Sequence, residues 1–150
     1  MQVLELLRHQ VQDEGEAYRF VEMLAFNAFV GNAGAHGKNS SLLLTRDGVR
    51  LSPLYDVVPT QVWGDRFDQR LAMQISGEPR SQAVTVFHWR KLAKAAGLDP
   101  DRVADRVAAL AAATFDRSEE ADTSAGIGGP SLGDALEIVT RNTAKLRSLA

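Results

Sequence analysis

The stretch that decides the fold is residues 31–58, which read GNAGAHGKNSSLLLTRDGVRLSPLYDVV. Its first part, residues 32–40, is small and polar and is interrupted by glycines, so the backbone there can bend sharply. Residues 41–51 then predict two strands joined at Asp47-Gly48, because Asp-Gly between apolar runs is typical of a tight hairpin turn. We therefore expect a glycine-rich loop that leads directly into a β-hairpin.

The predicted hairpin brings two oxygen-bearing side chains toward each other. Pro53 has no N–H to donate, so we expect it to end the second strand shortly before Asp56. The chain thus leaves from Asn39 and returns to Asp56. An amide oxygen and a carboxylate suit a hard cation such as Mg²⁺, which often shares its oxygen ligands with phosphates. Asn39 and Asp56 are therefore candidate metal ligands.

This pair has a counterpart in protein kinases, where an Asn and a later Asp hold the metal ions that bridge the ATP phosphates. Kinases also place a base Asp before that Asn, in the pattern D-x-x-x-x-N. Counting back along this sequence from Asn39 reaches Gly34, which cannot accept a proton or orient a hydroxyl. The sequence therefore predicts the metal half of a kinase site without its base.

Two motifs in this order resemble one kinase family. AGAHGKNS at residues 33–40 and LSPLYD at residues 51–56 are similar to the C-terminal domain of HipA-type serine/threonine kinases. Members of that family read D-x-H-x-K-N and, after a hairpin, L-x-P-x-Y-D. LAMQISG at residues 71–77 and HWRKLA at residues 88–93 also resemble family segments. The resemblance covers most of residues 20–98 and implies a protein-kinase-like C-lobe.

The resemblance implies a role for each matching residue. Asn39 and Asp56 would be the Mg²⁺ ligands. The ATP nucleotide would lie along six residues: His36, Gly37, Lys38, Asn39, Tyr55 and Asp56. The family's catalytic aspartate falls on Gly34, so no intact catalytic residue carries over. The implied reaction is transfer of the ATP γ-phosphate to a protein Ser or Thr, in a toxin–antitoxin system.

The resemblance also bears on domain organisation. The family's N-terminal lobe carries the phosphate-covering loop and the ATP lysine, yet only about thirty residues precede the glycine-rich loop here. We therefore expect residues 1–150 to form one HipA-like C-terminal domain that lacks the N-terminal lobe and is inactive or incomplete alone. Its expected partners are a protein substrate, or an N-lobe or antitoxin-like protein. The alternative is a non-catalytic pseudokinase or interaction module.

The glycine-rich loop and its polar residues also allow other interpretations. A P-loop requires G-x-x-x-x-G-K-[ST], but Asn32 stands at its first glycine and Asn39 at its Ser or Thr, so the pattern does not match. Taken singly, each polar residue also has a purely structural interpretation: a loop-bracing His36, a surface Lys38, a turn-stabilising Asn39 and a turn-capping Asp56. The alternating charges of residues 65–70 predict a solvated loop or, alternatively, a surface near the substrate.

Composition narrows the class of protein. The chain is 45% hydrophobic and 24% charged, which is ordinary for a globular domain. A net charge of -2 gives no electrostatic reason to bind nucleic acid or an anionic membrane directly. The absence of cysteine excludes disulfides and fits a cytoplasmic protein, and with only three histidines it argues against a zinc site. We find neither a signal-peptide pattern nor an apolar run near the ~18 residues that span a membrane.

The rest of the chain predicts helices around the hairpin, so the fold class is mainly α with a small β-hairpin (α+β). Apolar residues at helical spacing predict helices over residues 2–12, 17–28, 86–96, 100–115 and 132–146. Gly97 is a predicted helix stop and Asp99 a predicted N-cap. Residues 116–130 predict a mobile connector, and Ser131 resembles the start of a capping box. The predicted inner face of the last helix is Leu132, Leu136, Val139, Thr143 and Leu146.

Overall fold

The computed structural model describes residues 2–11, 14–46, 48–120 and 132–148. Within these ranges the chain forms helices around one antiparallel hairpin, which confirms the predicted fold class. The elements are α1 (Gln2–Gln10), α2 (Glu14–Phe29), β1 (Leu42–Thr45), β2 (Gly48–Leu51), α3 (Val86–Ala96), α4 (Pro100–Glu119) and α5 (Leu132–Arg147). Short 3₁₀ turns lie at Gly37–Asn39, Thr60–Arg66 and Ser81–Ala83. None of the described helices combines the length and apolarity needed to cross a bilayer.

Helix α2 lies at the centre of the core. It packs against α1, α4 and α5, and its C-terminal end leads into the glycine-rich loop. Its predicted apolar stripe is buried, including Phe20 and Leu24, and on α3 the largest buried side chain is Trp89. The site described below is therefore built on the end of the most buried helix.

The helix ends follow local chemistry. Asp99 caps α4, because its carboxylate accepts hydrogen bonds from the backbone N–H groups of Asp101 and Arg102, both at 2.9 Å. Gly97 ends α3 in the left-handed conformation, with φ 68°. Helix α4 continues to Glu119, so the predicted end at residue 115 was wrong. The predicted Ser131 cap, and most of the predicted connector, lie outside the described residues.

One part of the predicted inner face of α5 is wrong. Leu132 is exposed, whereas Ile138 and Asn142 are buried. The reason is that α5 meets the core only from its second turn onward, where Ile138 lies against Gly31.

The hairpin is anchored at its base by α2. Leu42 pairs with Leu51 and Thr45 with Gly48, so the connection between the strands is two residues long. Asp47, one half of the predicted turn, lies outside the described residues. The Leu51 N–H donates a hydrogen bond to the Glu16 carboxylate at 2.8 Å. This contact fixes the end of β2, and therefore the direction in which the chain runs toward Asp56.

Candidate functional site

The hairpin places the side chains of Asn39 and Asp56 in direct contact. Asn39 ends the 3₁₀ turn before β1, and Asp56 lies shortly after β2. The Asn39 Nδ2 donates a hydrogen bond to Oδ2 of Asp56. The other amide atom, Asn39 Oδ1, is buried and has no hydrogen-bond partner in the part of the chain that the structure describes. The side-chain amide of Asn39 thus lies against the carboxylate of Asp56, with its nitrogen rather than its oxygen facing that carboxylate.

The backbone of Asp56 adopts a conformation that few residues other than glycine accept. Its φ is 56°, in the left-handed region, where Asp and Asn are tolerated better than most residues. Asn32 Nδ2 donates to the Asp56 carbonyl oxygen at 3.1 Å and to Asn27 Oδ1 at 2.8 Å. Asn27 belongs to α2, so the core helix holds Asp56 through Asn32.

Tyr55 joins the two halves of the candidate site. Its hydroxyl is 2.8 Å from Ser41 Oγ and donates a hydrogen bond to the Lys38 carbonyl oxygen at 3.4 Å. His36, Gly37 and Lys38 are all exposed on the same loop. Hydrogen bonds therefore bring Lys38, Asn39, Tyr55 and Asp56 together, and His36 and Gly37 precede them on the same exposed loop.

Two clefts meet at Gly34. The first, of about 480 Å³, is lined by Gly34 and Asp56 together with apolar Val58, Trp63 and Phe67. The Trp63 and Phe67 rings pack edge to face with centroids 6.1 Å apart. The second, of about 400 Å³, is lined by Gly34 and by polar side chains including His36, Asp68 and Arg70. The residue at the base position thus faces open space on both sides.

Among the residues that the structure describes, none crowds position 34 closely enough to require glycine there. A Cβ built there would lie 3.7 Å from Asn32 Oδ1 and 4.0 Å from Thr60 Cγ2, which are ordinary contacts. Gly31 is different, because its φ is 73° and a Cβ there would lie 2.7 Å from Ile138 Cγ2. The backbone at the predicted base position therefore accepts a Cβ, and glycine there is not explained by steric crowding at that atom.

Two charged residues of the segment at residues 65–70, Asp68 and Arg70, line the second cleft. Arg70 Nη2 lies 3.0 Å from Asp68 Oδ2, and both side chains are largely exposed. The hydrogen bond from the Arg70 side chain lowers the pKa of Asp68. A carboxylate with a lowered pKa is a weaker base, so Asp68 is poorly suited to replace the base missing at Gly34.

Asn39 and Asp56 offer too few ligands for a metal ion that is coordinated by protein side chains alone. They suit Mg²⁺ better, because Mg²⁺ needs few protein ligands. Among the described residues, no three His, Cys, Asp or Glu side chains form a group that could hold a metal ion. Mg²⁺ commonly takes one or two carboxylates and completes its shell with waters and substrate phosphates. The unpartnered Asn39 Oδ1 is the kind of oxygen such a shell would use.

Two residues that support this site, Asn32 and Thr60, were not predicted from the sequence. Asn32 holds the Asp56 carbonyl, and Thr60 Oγ1 accepts a hydrogen bond from Ala33 N–H at 2.9 Å and donates one to Gly31 O at 3.3 Å. Asn32 lies in an irregular segment and Thr60 begins a short 3₁₀ turn, and neither segment shows a periodic pattern in the sequence. The only signal was the presence of small hydrogen-bonding side chains in loops, which is too common to be specific.

Comparison with known proteins identifies the family. The model of the HipA-like C-terminal domain matches residues 1–117, so the chain belongs to that family, as its motifs predicted. It is 32% identical over 111 residues to "Putative kinase Y4mE" of Sinorhizobium fredii, which is 73% of this chain and 26% of that protein. It is 47% identical over 53 residues to "Serine/threonine-protein kinase toxin HipA" of Shewanella oneidensis, which is 35% of this chain and 12% of that one.

A solved structure shows the same fold. HipA of the Shewanella oneidensis toxin–antitoxin system, solved with HipB and its operator DNA, matches with a TM-score of 0.75 at 23% identity. The match covers 97% of this chain and 34% of that chain. The chain thus spans about a quarter of the curated Sinorhizobium relative and about a third of the solved chain. Its kinase-like fold extends through α5, beyond the residues that the family model matches.

Proposed function

We propose that residues 31–58 form the magnesium and nucleotide half of a HipA-like serine/threonine kinase site. Asn39 and Asp56 are the proposed Mg²⁺ ligands. The observation that carries this proposal is the direct side-chain contact between them, next to a buried amide oxygen that has no partner among the described residues. The names of both relatives, a kinase and a kinase toxin, support the same class of activity.

Each residue of the proposed site has a distinct task. With no cation between them, the Asn39 amide N–H satisfies the carboxylate of Asp56. A rotated amide would offer Oδ1 in the same place, which gives two oxygen ligands on one side. Bound Mg²⁺ would neutralise charge on the ATP phosphates. Lys38 would steady a phosphate or the acceptor, and His36, Gly37 and Tyr55 would lie along the nucleotide.

Gly34 limits what this site does alone. In the proposed reaction the hydroxyl oxygen of a protein Ser or Thr bonds to the γ-phosphorus of ATP, and the bond from that phosphorus to the bridging oxygen breaks, which releases ADP. The hydroxyl proton passes to a base or to water. A positioned base typically contributes a factor of about 10² to 10⁴ to such a proton transfer. Gly34 offers no group for that step, so we propose that this chain is inactive or incomplete as a catalyst by itself. The phosphate-covering lobe of a kinase site would have to be supplied in addition.

A second candidate function is a non-catalytic interaction module. Exposed apolar side chains support it: Leu44 on β1 is 85% exposed and Phe67, beside Gly34, is 55% exposed. Exposed apolar surface often marks an interface. In this alternative the surface binds an N-lobe or an antitoxin-like protein of a toxin–antitoxin system. We propose cytoplasmic protein partners and, given the net charge of -2, no direct contact with nucleic acid.

Calorimetric titration of the chain with ATP, with and without Mg²⁺, tests the proposed metal site. Asp56→Asn is the informative variant, because Asn accepts a left-handed backbone but removes the charge. We expect Mg²⁺-dependent binding that weakens by about tenfold or more in Asp56→Asn, a change of roughly 1.4 kcal/mol. Asp68→Asn, the matched control on the cleft wall, should bind as the wild type does. Equal affinities with and without Mg²⁺ would contradict the proposal.

A second experiment separates the kinase from the interaction module. Gly34→Asp introduces a carboxylate at the predicted base position, where the added Cβ would make only ordinary contacts. Joined to the N-lobe of a HipA relative, this variant should transfer the γ-phosphate to protein, whereas the Gly34 chain in the same fusion should not. Failure to transfer despite intact Mg²⁺–ATP binding would favour the interaction module.

A further inference from the structure

Helix α5 contributes a buried polar side chain to the packing beneath the glycine-rich loop. Asn142 is 3% exposed, and its Nδ2 donates hydrogen bonds to the carbonyl oxygens of Ala28 at 3.0 Å and Phe29 at 3.3 Å. Carbonyls in the last turn of a helix have no partner within that helix. Asn142 therefore caps the C-terminal end of α2 from a different helix.

Gln61 connects α5 to the same loop through a second set of hydrogen bonds. Its Oε1 lies 3.3 Å from Asn142 Nδ2, and its backbone N–H donates to the Gly31 carbonyl oxygen at 3.0 Å. The side-chain amide is further fixed by donation to the Gln69 carbonyl oxygen at 2.9 Å. Because Gln61 is buried, these bonds are shielded from competing water.

Close packing makes the connection stiff. Gly31 lies so near α5 that a Cβ there would be 2.7 Å from Ile138 Cγ2. The next residue, Asn32, donates its backbone N–H to Asn27 O at 2.8 Å and its side-chain amide to Asp56 O at 3.1 Å. A movement of α5 at Asn142 would therefore displace Gly31 and Asn32, and with them the backbone of Asp56.

The hydrogen bonds of Asn142 show that its amide nitrogen, and not its amide oxygen, contacts the end of α2. Nδ2 faces three oxygens, which fixes the amide orientation, whereas Oδ1 is buried with no partner among the described residues. An unpaired buried acceptor is costly, and an apolar side chain of similar size would avoid that cost. What such a side chain could not provide is the donor that holds the end of α2.

We infer that Asn142 is a positioning residue, which fixes the turn at residues 28–32 so that Asn32 holds Asp56 beside Asn39. The role of Asp56 as a ligand rests on the proposed function, but the positioning itself is testable without nucleotide. Asn142 lies beyond residues 1–117, the part matched by the family model. This positioning role therefore belongs to a helix that lies outside the residues matched by the family model.

The test compares Asn142→Leu with Thr143→Val on the same helix. Thr143 is equally buried, but its hydroxyl donates within α5, to Val139 O at 2.8 Å, so its loss does not touch the loop. Amide NMR spectra of the nucleotide-free chain report on Asn32, Asn39 and Asp56 directly. We expect Asn142→Leu to shift or broaden these signals and Thr143→Val to leave them in place. Unchanged signals in Asn142→Leu, or equal shifts in both variants, would overturn the inference.

Magnesium-dependent ATP affinity, measured well below the melting temperature of each variant, gives the second readout. We expect about a tenfold loss in Asn142→Leu and none in Thr143→Val. If the wild type binds no Mg²⁺–ATP, the proposed function fails while the NMR comparison still decides the inference. If Asn142→Leu does not fold, Gln61→Met replaces it, because this variant removes the hydrogen bond between Gln61 and Asn142. We expect Gln61→Met to shift the signals of Asn32, Asn39 and Asp56. Unchanged signals in Gln61→Met would then overturn the inference.

Discussion

The side-chain amide of Asn39 donates a hydrogen bond to the carboxylate of Asp56, although the two residues are 17 positions apart. The register of the hairpin makes this contact possible, because Leu42 pairs with Leu51 and the chain leaves both strands at the same end. A slip of one residue would turn every strand side chain to the opposite face and displace Asp56. The contact therefore depends on the register of the hairpin that precedes Asp56.

The left-handed backbone of Asp56 predicts an unusual ranking of variants. At φ 56° a Cβ is unfavourable, so Asp56→Ala should unfold about 1 kcal/mol more easily than Asp56→Gly. At an ordinary helical or extended position the order would be reversed. Urea unfolding of the two variants measures the difference, and an Ala variant as stable as the Gly variant would show that Asp56 does not hold this conformation.

The two glycines of the loop should respond in opposite ways to alanine. Gly31→Ala should destabilise the fold by about 2 kcal/mol or more, because the new methyl group would collide with Ile138 and sit at positive φ. Gly34→Ala should change the free energy of unfolding by less than about 1 kcal/mol, since its Cβ meets only ordinary contacts. Thermal or urea unfolding tests both, and a large loss in Gly34→Ala would mean that glycine is structurally required there.

Arg70 should control the ionisation of Asp68. Its hydrogen bond lowers the Asp68 pKa from a usual value of 3.8, so any stabilisation by the pair is present above that pH. It is lost as the pH falls through the lower folded pKa. We expect Arg70→Gln to raise the Asp68 pKa in a carboxyl NMR titration. Arg80→Gln is the matched control: it should raise the pKa of Glu78, its own partner, and leave that of Asp68 unchanged.

The hairpin and its neighbours were predictable because their signals are local. The two strands of the hairpin, the stop at Gly97 and the cap at Asp99 each follow from residue types within a few positions. The proximity of Asn39 to Asp56 followed from the hairpin. The family was recognisable because two short motifs occur in the right order on either side of it.

Other features could not be predicted because they depend on distant packing. Helix α4 continues past residue 115 through polar residues, and there the Arg147 guanidinium of α5 lies 3.4 Å from the Phe115 ring centroid. Asn142 is buried although it is polar. The spacing of apolar residues along α5 therefore does not predict that it faces the core. The two backbone carbonyls that it caps are more than 100 residues away in the sequence. Such contacts exist only once α5 has docked.

The most direct test of a metal site at Asn39 and Asp56 is paramagnetic NMR with Mn²⁺–ATP, because Mn²⁺ takes the same oxygen ligands as Mg²⁺. We predict that the side-chain amide of Asn39 and the backbone amide of Asp56 broaden first, at substoichiometric metal, and that excess Mg²⁺ restores them. In Asp56→Asn this selective broadening should disappear. Uniform broadening along the chain, or selective broadening that persists in Asp56→Asn, would contradict a metal site at these two residues.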